Sequence, residues 1–292
     1  MSLRRRVLGW FALRPGAAGS ALVGPGLFWL LVFFLAPIGL MLAYSAMKRG
    51  MYGGVEPGFT LEHYRRFFDP LYLDILFRTI LWSLVCTVLC LVVGYPMAFL
   101  IARAGRWRQW LLFLVVLPFW TSFLVRMFAM IFLLRDTGFI NGLLLRLGLI
   151  SQPIVLLYTP GAVMLGLVYG FLPLMILPIY ASLEKFDGAL LEAAEVLGAR
   201  PWARFARVIW PLSIPGVVAG ALLTFIPALG SFVTSDLLGG AKQVMIGNLI
   251  QNQFTVARNW PFGSAAAFVL MGVVLLAVVG YLRRRDAGGL LS

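Results

Sequence analysis

The chain has 292 residues, of which 61% are hydrophobic and 12% charged, against roughly 45–50% apolar and about a quarter charged in a soluble domain. So few charges cannot cover the surface of a soluble fold of this length, which excludes one and leaves an integral membrane protein. The net charge of +13 comes as short basic clusters beside long apolar stretches, a topology signal rather than a nucleic-acid surface.

A helix needs about 20 apolar residues to cross the hydrocarbon core, and in chain order six stretches qualify. The first, residues 21–46, sits in the uncharged interval between Arg14 and Lys48. The second lies near 79–101, between Arg78 and Arg103. The third, 109–134, carries one charge, Arg126, towards its far end. The fourth lies near 156–182, the fifth runs from Val208 towards Asp236, and the sixth fits between Arg258 and Arg283. Prolines recur inside them (Pro37, Pro96, Pro118, Pro173, Pro178, Pro215, Pro227). Each removes a backbone donor and tends to kink its helix, a defect that neighbouring helices in a bundle can satisfy.

Six spans put both termini on one side. Arg4, Arg5, Arg6 and Arg14, the tight connection with Arg103, Arg106 and Arg108, and the tail with Arg283, Arg284 and Arg285 share that side, which the positive-inside rule makes cytoplasmic. The expected layout is a cytoplasmic arm at 1–20, a first span at 21–46 and a periplasmic loop at 47–78. A five-helix core at 79–282 and a cytoplasmic tail at 283–292 follow. The Arg4–Arg6 run faintly resembles an export signal, but the apolar run behind it is too long and lacks a cleavage site, so a retained helix is expected. Cys86 and Cys90 lie four apart on one helix face and His63 is the single histidine. That matches no metal-ligand spacing, and small residues packing in a membrane helix explain the pair.

The segment between the fourth and fifth spans is rich in Leu, Ala and Glu, which favours helix. Asp187 can cap its start, Gly198 can supply a left-handed stop, and Pro201 lies just beyond. The spacing predicts a short amphipathic helix over 187–198 outside the membrane, with Leu190, Leu191, Ala194 and Leu197 on one face and Glu192 and Glu195 towards the other. A helix lying in lipid headgroups favours Lys and Arg on its polar face. This one offers acids there, which suits a protein groove.

Glu192-Ala193-Ala194, three residues, Gly198, nine residues, then Val208-Ile209-Trp210-Pro211 resembles the EAA motif of ABC importer permeases, with Val208 in place of Ile and Trp210 in place of Leu. Leu117-Pro118-Phe119-Trp120-Thr121-Ser122 with Leu124-Val125-Arg126 is similar to the third-span signature of polyamine-type permeases. So are the segment from Ser235 to Lys242, Ile246-Gly247-Asn248, and Asn259-Trp260-Pro261-Phe262-Gly263. The resemblance covers most of the chain from Thr79 onwards. It implies a type I ABC importer permease fold with a cytoplasmic coupling helix, and spermidine or putrescine as cargo. An opine or another small organic solute is the alternative cargo. It also implies partners: two ATPase subunits, a second permease and a periplasmic substrate-binding protein, with no cofactor. Glu192, Ala193, Ala194 and Gly198 are then the residues that couple to the ATPase.

The sequence has no Gly-x-x-x-x-Gly-Lys-[Ser/Thr] run, so any ATP must be handled elsewhere. A polycation crossing low dielectric needs carboxylates or aromatic faces on its route. Asp236, at the outer end of the fifth span, is either such a carboxylate or a solvated residue pairing Lys242. Trp120, about 11 residues or roughly 17 Å along the third span, offers either a cation–π surface or packing. Arg126 either snorkels to the interface or meets the binding protein. The outer loop from Lys48 to Arg78 either receives that protein or caps the bundle. A secondary transporter, the competing class, predicts paired ionisable residues within the spans, and apart from Arg126 these are missing. A membrane-embedded enzyme lacks a visible nucleophile–base pair.

Overall fold

The computed structural model describes residues 15–185 and 188–289. The expected cap at Asp187 and the arginines of the N-terminal arm lie outside them. The chain divides into two units, Met1–Phe68 with Asn252–Ser292 and Asp69–Gln251.

In the first unit α1, Val23–Ser45, is long and apolar enough to span a bilayer, as expected for 21–46. Its residues from Leu27 to Leu35 are exposed, which suits a helix whose solvent is hydrocarbon. The 47–78 stretch is not an open loop. β1 (Met47–Arg49) and β2 (Val55–Phe59) form an antiparallel hairpin pairing Lys48 with Glu56 and Arg49 with Val55. Gly53 (φ +93°) and Gly54 (φ +82°) turn its tip, a conformation that costs glycine nothing. A short helix, α2 (Glu62–Phe67), follows. Arg49 Nη2 donates to Ala257 O at 3.0 Å, His63 lies 3.0 Å from Met47 O, and the Arg66 guanidinium sits 4.9 Å over the Phe262 ring. The basic residues here are thus partly tied down as a structured cap within their own unit.

The second unit carries the long spans. α3, Pro70–Arg103, starts nine residues before the expected 79. Asp69 caps it by accepting from Leu71 N at 3.0 Å, with Pro70 in the first turn. Its buried stripe of Thr79, Ser83, Cys86, Cys90, Gly94 and Ala98 recurs every three or four residues and is small throughout, which lets another helix approach closely. Cys86 and Cys90 are buried free thiols in that stripe.

The third span departs most from expectation. Instead of one helix over 109–134 there are α4 (Gly105–Trp120) and α5 (Phe123–Leu134), with α6 (Phe139–Arg146) after them. The Phe123–Arg146 segment is bent 93° from α4. Pro118 has no N–H to continue the helix, and the Thr121 N–H and hydroxyl both donate to Pro118 O, at 3.2 and 2.7 Å. That seals the helix end, and the extended ψ of 147° at Thr121 and 138° at Ser122 sends the chain off sideways. Among the described residues, Pro96, Pro173, Pro178, Pro215 and Pro227 sit inside helices that run on through them.

α7 (Pro160–Glu184) and α9 (Pro201–Gly230) complete the packed centre of the unit. They meet through Gly216 and Gly220: a Cβ on Gly216 would lie 2.5 Å from Pro178 O and 2.6 Å from Ser182 Oγ, and one on Gly220 3.0 Å from Met175 O. Backbone cannot yield as a side-chain tip can. Gly216→Ala is expected to cost about 1–3 kcal/mol by overpacking, read as a lower melting temperature of the purified protein in micelles. Gly24→Ala, with open space around it, is the control, and equal melting of the two would show that the α7–α9 contact is not tight.

Candidate functional site

The helix expected over 187–198 is present as α8, Gly188–Val196. Its end is built by Gly198, at φ +74°. The Ala199 N–H donates to Ala194 O at 3.0 Å and the Gly198 N–H to Glu195 O at 2.9 Å, which is the Schellman pattern with its left-handed residue in place. Thus the glycine at this spacing from Glu192-Ala193-Ala194 has a backbone reason of its own. The expected apolar face is split. Leu191 and Ala194 are half-buried, whereas Leu190 and Leu197 are exposed, and Val196 is 88% exposed. Glu192 and Ala193 are exposed as well.

The inward half of α8 is seated on the spans. Leu191 lines a cavity of about 190 Å³ with Phe99, Ala102, Arg103, Leu183 and Ile209. Across the turn, Glu195 pairs with Arg204 on α9 at 2.9 Å. α9 begins at Pro201 and includes a π-helical stretch, Phe205–Ile209, where the expected span begins at Val208. Trp210, one of the departures from the EAA pattern, packs with its ring 5.4 Å from Tyr95 and 6.3 Å from Phe205. Tyr95 in turn meets Ser213 Oγ at 2.9 Å. A second ion pair, Arg108–Glu184 at 3.0 Å, joins the start of α4 to the end of α7, just before α8. α8 is therefore joined through Leu191, the Glu195–Arg204 pair and the Tyr95–Phe205–Trp210 rings to α3 and α9.

The remaining expected residues lie apart. Trp120 is the last residue of α4, 74% exposed, with its ring edge-on to Phe113 at 5.5 Å, so dense packing does not explain it. Asp236 is neither in the fifth span nor paired with Lys242. α9 ends at Gly230, and Asp236 sits on a separate short helix, α10 (Val233–Gly239). There it accepts from Asn248 Nδ2 at 2.5 Å while staying exposed. Arg126 does not snorkel: it is 8% exposed, on α5, with its guanidinium against the rings of Phe119, Phe123 and Tyr169. No hydrogen bond, ion pair or ring contact joins Trp120, Arg126 and Asp236 to one another among the described residues.

Asn248 was not expected here. It is 3% exposed at the start of α11 (Ile246–Thr255). Its Oδ1 accepts from Ser235 Oγ at 2.5 Å and Met245 N at 2.9 Å, and its Nδ2 donates to Phe232 O at 3.0 Å and to Asp236. The neighbouring Ile246 N–H donates to Thr79 Oγ1 of α3 at 2.9 Å. In the sequence Ser235, Asp236 and Asn248 stand in two segments that resemble the permease signature, and nothing in either segment says that they meet.

Residues 90–285 match the family described as "Binding-protein-dependent transport system inner membrane component". The chain belongs to that family. It is a permease, a multi-pass transport subunit of the inner membrane and not an enzyme. Its relatives include the spermidine/putrescine transport system permease protein PotB of Haemophilus influenzae, 45% identical over 87% of this chain and 90% of the relative. The PotB protein of Escherichia coli K12 is 44% identical over 85% of this chain and 92% of the relative. Among solved structures, a bacterial alginate ABC transporter in complex with its alginate pentasaccharide-bound periplasmic protein has the same fold. The TM-score is 0.69 at 19% identity, covering 95% of this chain and 97% of that one. The type I permease fold and the helical packing of the spans are thus those of ABC importer permeases.

Proposed function

We propose that this permease passes spermidine and putrescine from a periplasmic binding protein to the cytoplasm in an ATP-driven importer. The observation that carries the reading is the identity with the PotB permeases, spread over nearly the whole of both chains. The power is supplied by two separate ATPase subunits, in keeping with the lack of a phosphate-cradling motif in the sequence. A second permease completes the pathway. The end of the unit bearing Arg103, Arg108 and α8 faces the cytoplasm, as do both termini. Positive-inside bias supports that orientation.

In this reading α8 is the coupling helix. Glu192 meets a basic or polar group in a cleft of the ATPase, Ala193 and Ala194 allow close approach, and Gly198 turns the chain back into α9. Exposed Leu190, Val196 and Leu197 give the cleft an apolar surface to cover. ATP-driven closure then moves α8, and the spans fastened to it switch the pathway between inward- and outward-facing states. Trp120 and Asp236 are the pathway residues, one aromatic face and one exposed carboxylate for a cation to meet. A contact between Arg126 and the binding protein requires a conformation that exposes it more than the 8% seen here.

Uptake of radiolabelled spermidine and putrescine by cells lacking this chain tests the reading. Loss of uptake, restored by the intact chain, is the expected result. Unchanged uptake of both would overturn it and leave an opine or another small organic solute as cargo.

A further inference from the structure

A charged side chain inside a membrane protein ordinarily finds a counter-charge or a ring of acceptors, because leaving it bare is costly. Arg126 has neither. Its Nε and Nη1 are buried without a hydrogen-bond partner. Its guanidinium carbon lies 5.3 Å from the Phe119 ring, 5.4 Å from Phe123 and 6.0 Å from Tyr169. Three ring faces within about 6 Å of one cation make an aromatic cage, an arrangement that recognises organic ammonium groups by the ring quadrupole. Phe119 belongs to α4, Phe123 to α5 and Tyr169 to α7, so the cage straddles the 93° break in the third span. Beside it, and sharing Tyr169, is an open, largely apolar cavity of about 410 Å³ lined by Met97, Leu100, Leu114, Pro118 and Leu172.

We infer that the Phe119–Phe123–Tyr169 cage and the adjoining cavity form a binding site for an alkylammonium ion, held in this conformation by the chain's own Arg126 as a resident substitute. The cage takes one ammonium head and the cavity takes the methylene chain behind it. The substrate head and the guanidinium compete for the same rings. Because the rings come from both sides of the break, a change in the angle between α4 and α5 opens or closes the seat. The inference deepens the proposed polyamine reading and rests on it for the identity of the ion, though not for the existence of the cage.

The test uses the complete importer in nanodiscs without its binding protein, with radiolabelled spermidine as the probe. Arg126→Gln removes the resident cation and is expected to raise spermidine retention about tenfold, the scale of one desolvated cation–π contact. Adding Phe123→Leu to Arg126→Gln returns retention to the wild-type level, and Arg126→Lys gives an intermediate gain. A role for Arg126 in structure alone would move stability without raising ligand retention. No gain in Arg126→Gln, or a gain that survives loss of the ring, overturns the inference. If Arg126→Gln does not assemble, Arg126→Lys carries the same comparison. A second probe, n-butylammonium, separates the two readings. Raised retention of butylammonium in Arg126→Gln without raised retention of spermidine keeps the cage and removes the polyamine. Raised retention of neither removes the cage.

Discussion

Glu192→Lys is expected to insert into the membrane and assemble with its partners, yet to lose the ATP hydrolysis that a loaded binding protein elicits. The local structure explains why the fold survives. Glu192 is exposed on α8 and takes no part in the three ion pairs found among the described residues, Asp74–Arg78, Arg108–Glu184 and Glu195–Arg204. Charge reversal therefore costs this chain little, while in an ATPase cleft it sets like charges together. Losing one partner of a desolvated charge pair costs about 2–5 kcal/mol, so a drop of at least about tenfold in stimulated hydrolysis is expected. Gly198→Asp reaches the same end differently. Nothing lies within 4 Å of the added Cβ, so the penalty is the left-handed backbone, about 1–2 kcal/mol, which unwinds the turn leading into α9. Glu195→Gln is the contrast: it breaks a pair whose carboxylate is 67% exposed, worth at most about 1 kcal/mol, and is expected to keep most of its coupling. Normal stimulated hydrolysis in Glu192→Lys, assayed in proteoliposomes, would show that α8 is not where the ATPase grips.

Long-range signals in the sequence were legible and contacts between distant residues were not. Apolar runs of more than twenty residues located α1, α3, α7 and α9, because the bilayer thickness fixes that length whatever the tertiary structure. The ends were less clear. Asp69-Pro70 is a readable helix start, but Leu73 and Asp74 behind it mix polarity, so the apolar run alone placed the start at 79. The break at Thr121–Ser122 is written in local chemistry, a proline followed by a hydroxyl that recaptures its carbonyl. It was obscured because one apolar run continues through it. The glycines at 50, 53 and 54 are hairpin signals in a stretch expected to be a loop. α8 and its Gly198 stop were legible because the stop and the core lie within a dozen residues. Arg126 was not: the burial that takes it from the interface depends on Tyr169, forty-three positions away. Gly216 and Gly220 form a small-xxx-small pair, but their necessity follows only from Pro178 O beside them.

Asn248 is a buried amide with four partners, and Asn248→Ala is expected to cost about 1–3 kcal/mol. The estimate follows from its four partners. Removing the amide strands the Met245 N–H, a buried polar group whose loss of partner costs about 1–3 kcal/mol, and frees the Asp236 carboxylate, while Ser235 Oγ keeps its bond to Phe232 O and Phe232 O keeps the Asp236 N–H. α10, α11 and the 240–245 turn between them would loosen together, since their residues meet at this one side chain. Asn248→Asp decides whether the hydrogen bonds or the volume matter. It keeps the shape, but it turns a donor into an acceptor facing both Phe232 O and the Asp236 carboxylate, so repulsion replaces two hydrogen bonds. If the clasp holds by donation, Asn248→Asp melts at least as low as Asn248→Ala; if Asn248 only fills space, Asn248→Asp melts like wild type. Melting of the purified permease in detergent distinguishes these outcomes. Spermidine uptake measured on the same variants adds a second consequence. Asn248 fixes the carboxylate of Asp236 in position, so transport is expected to fall in Asn248→Ala even at temperatures where that protein remains folded.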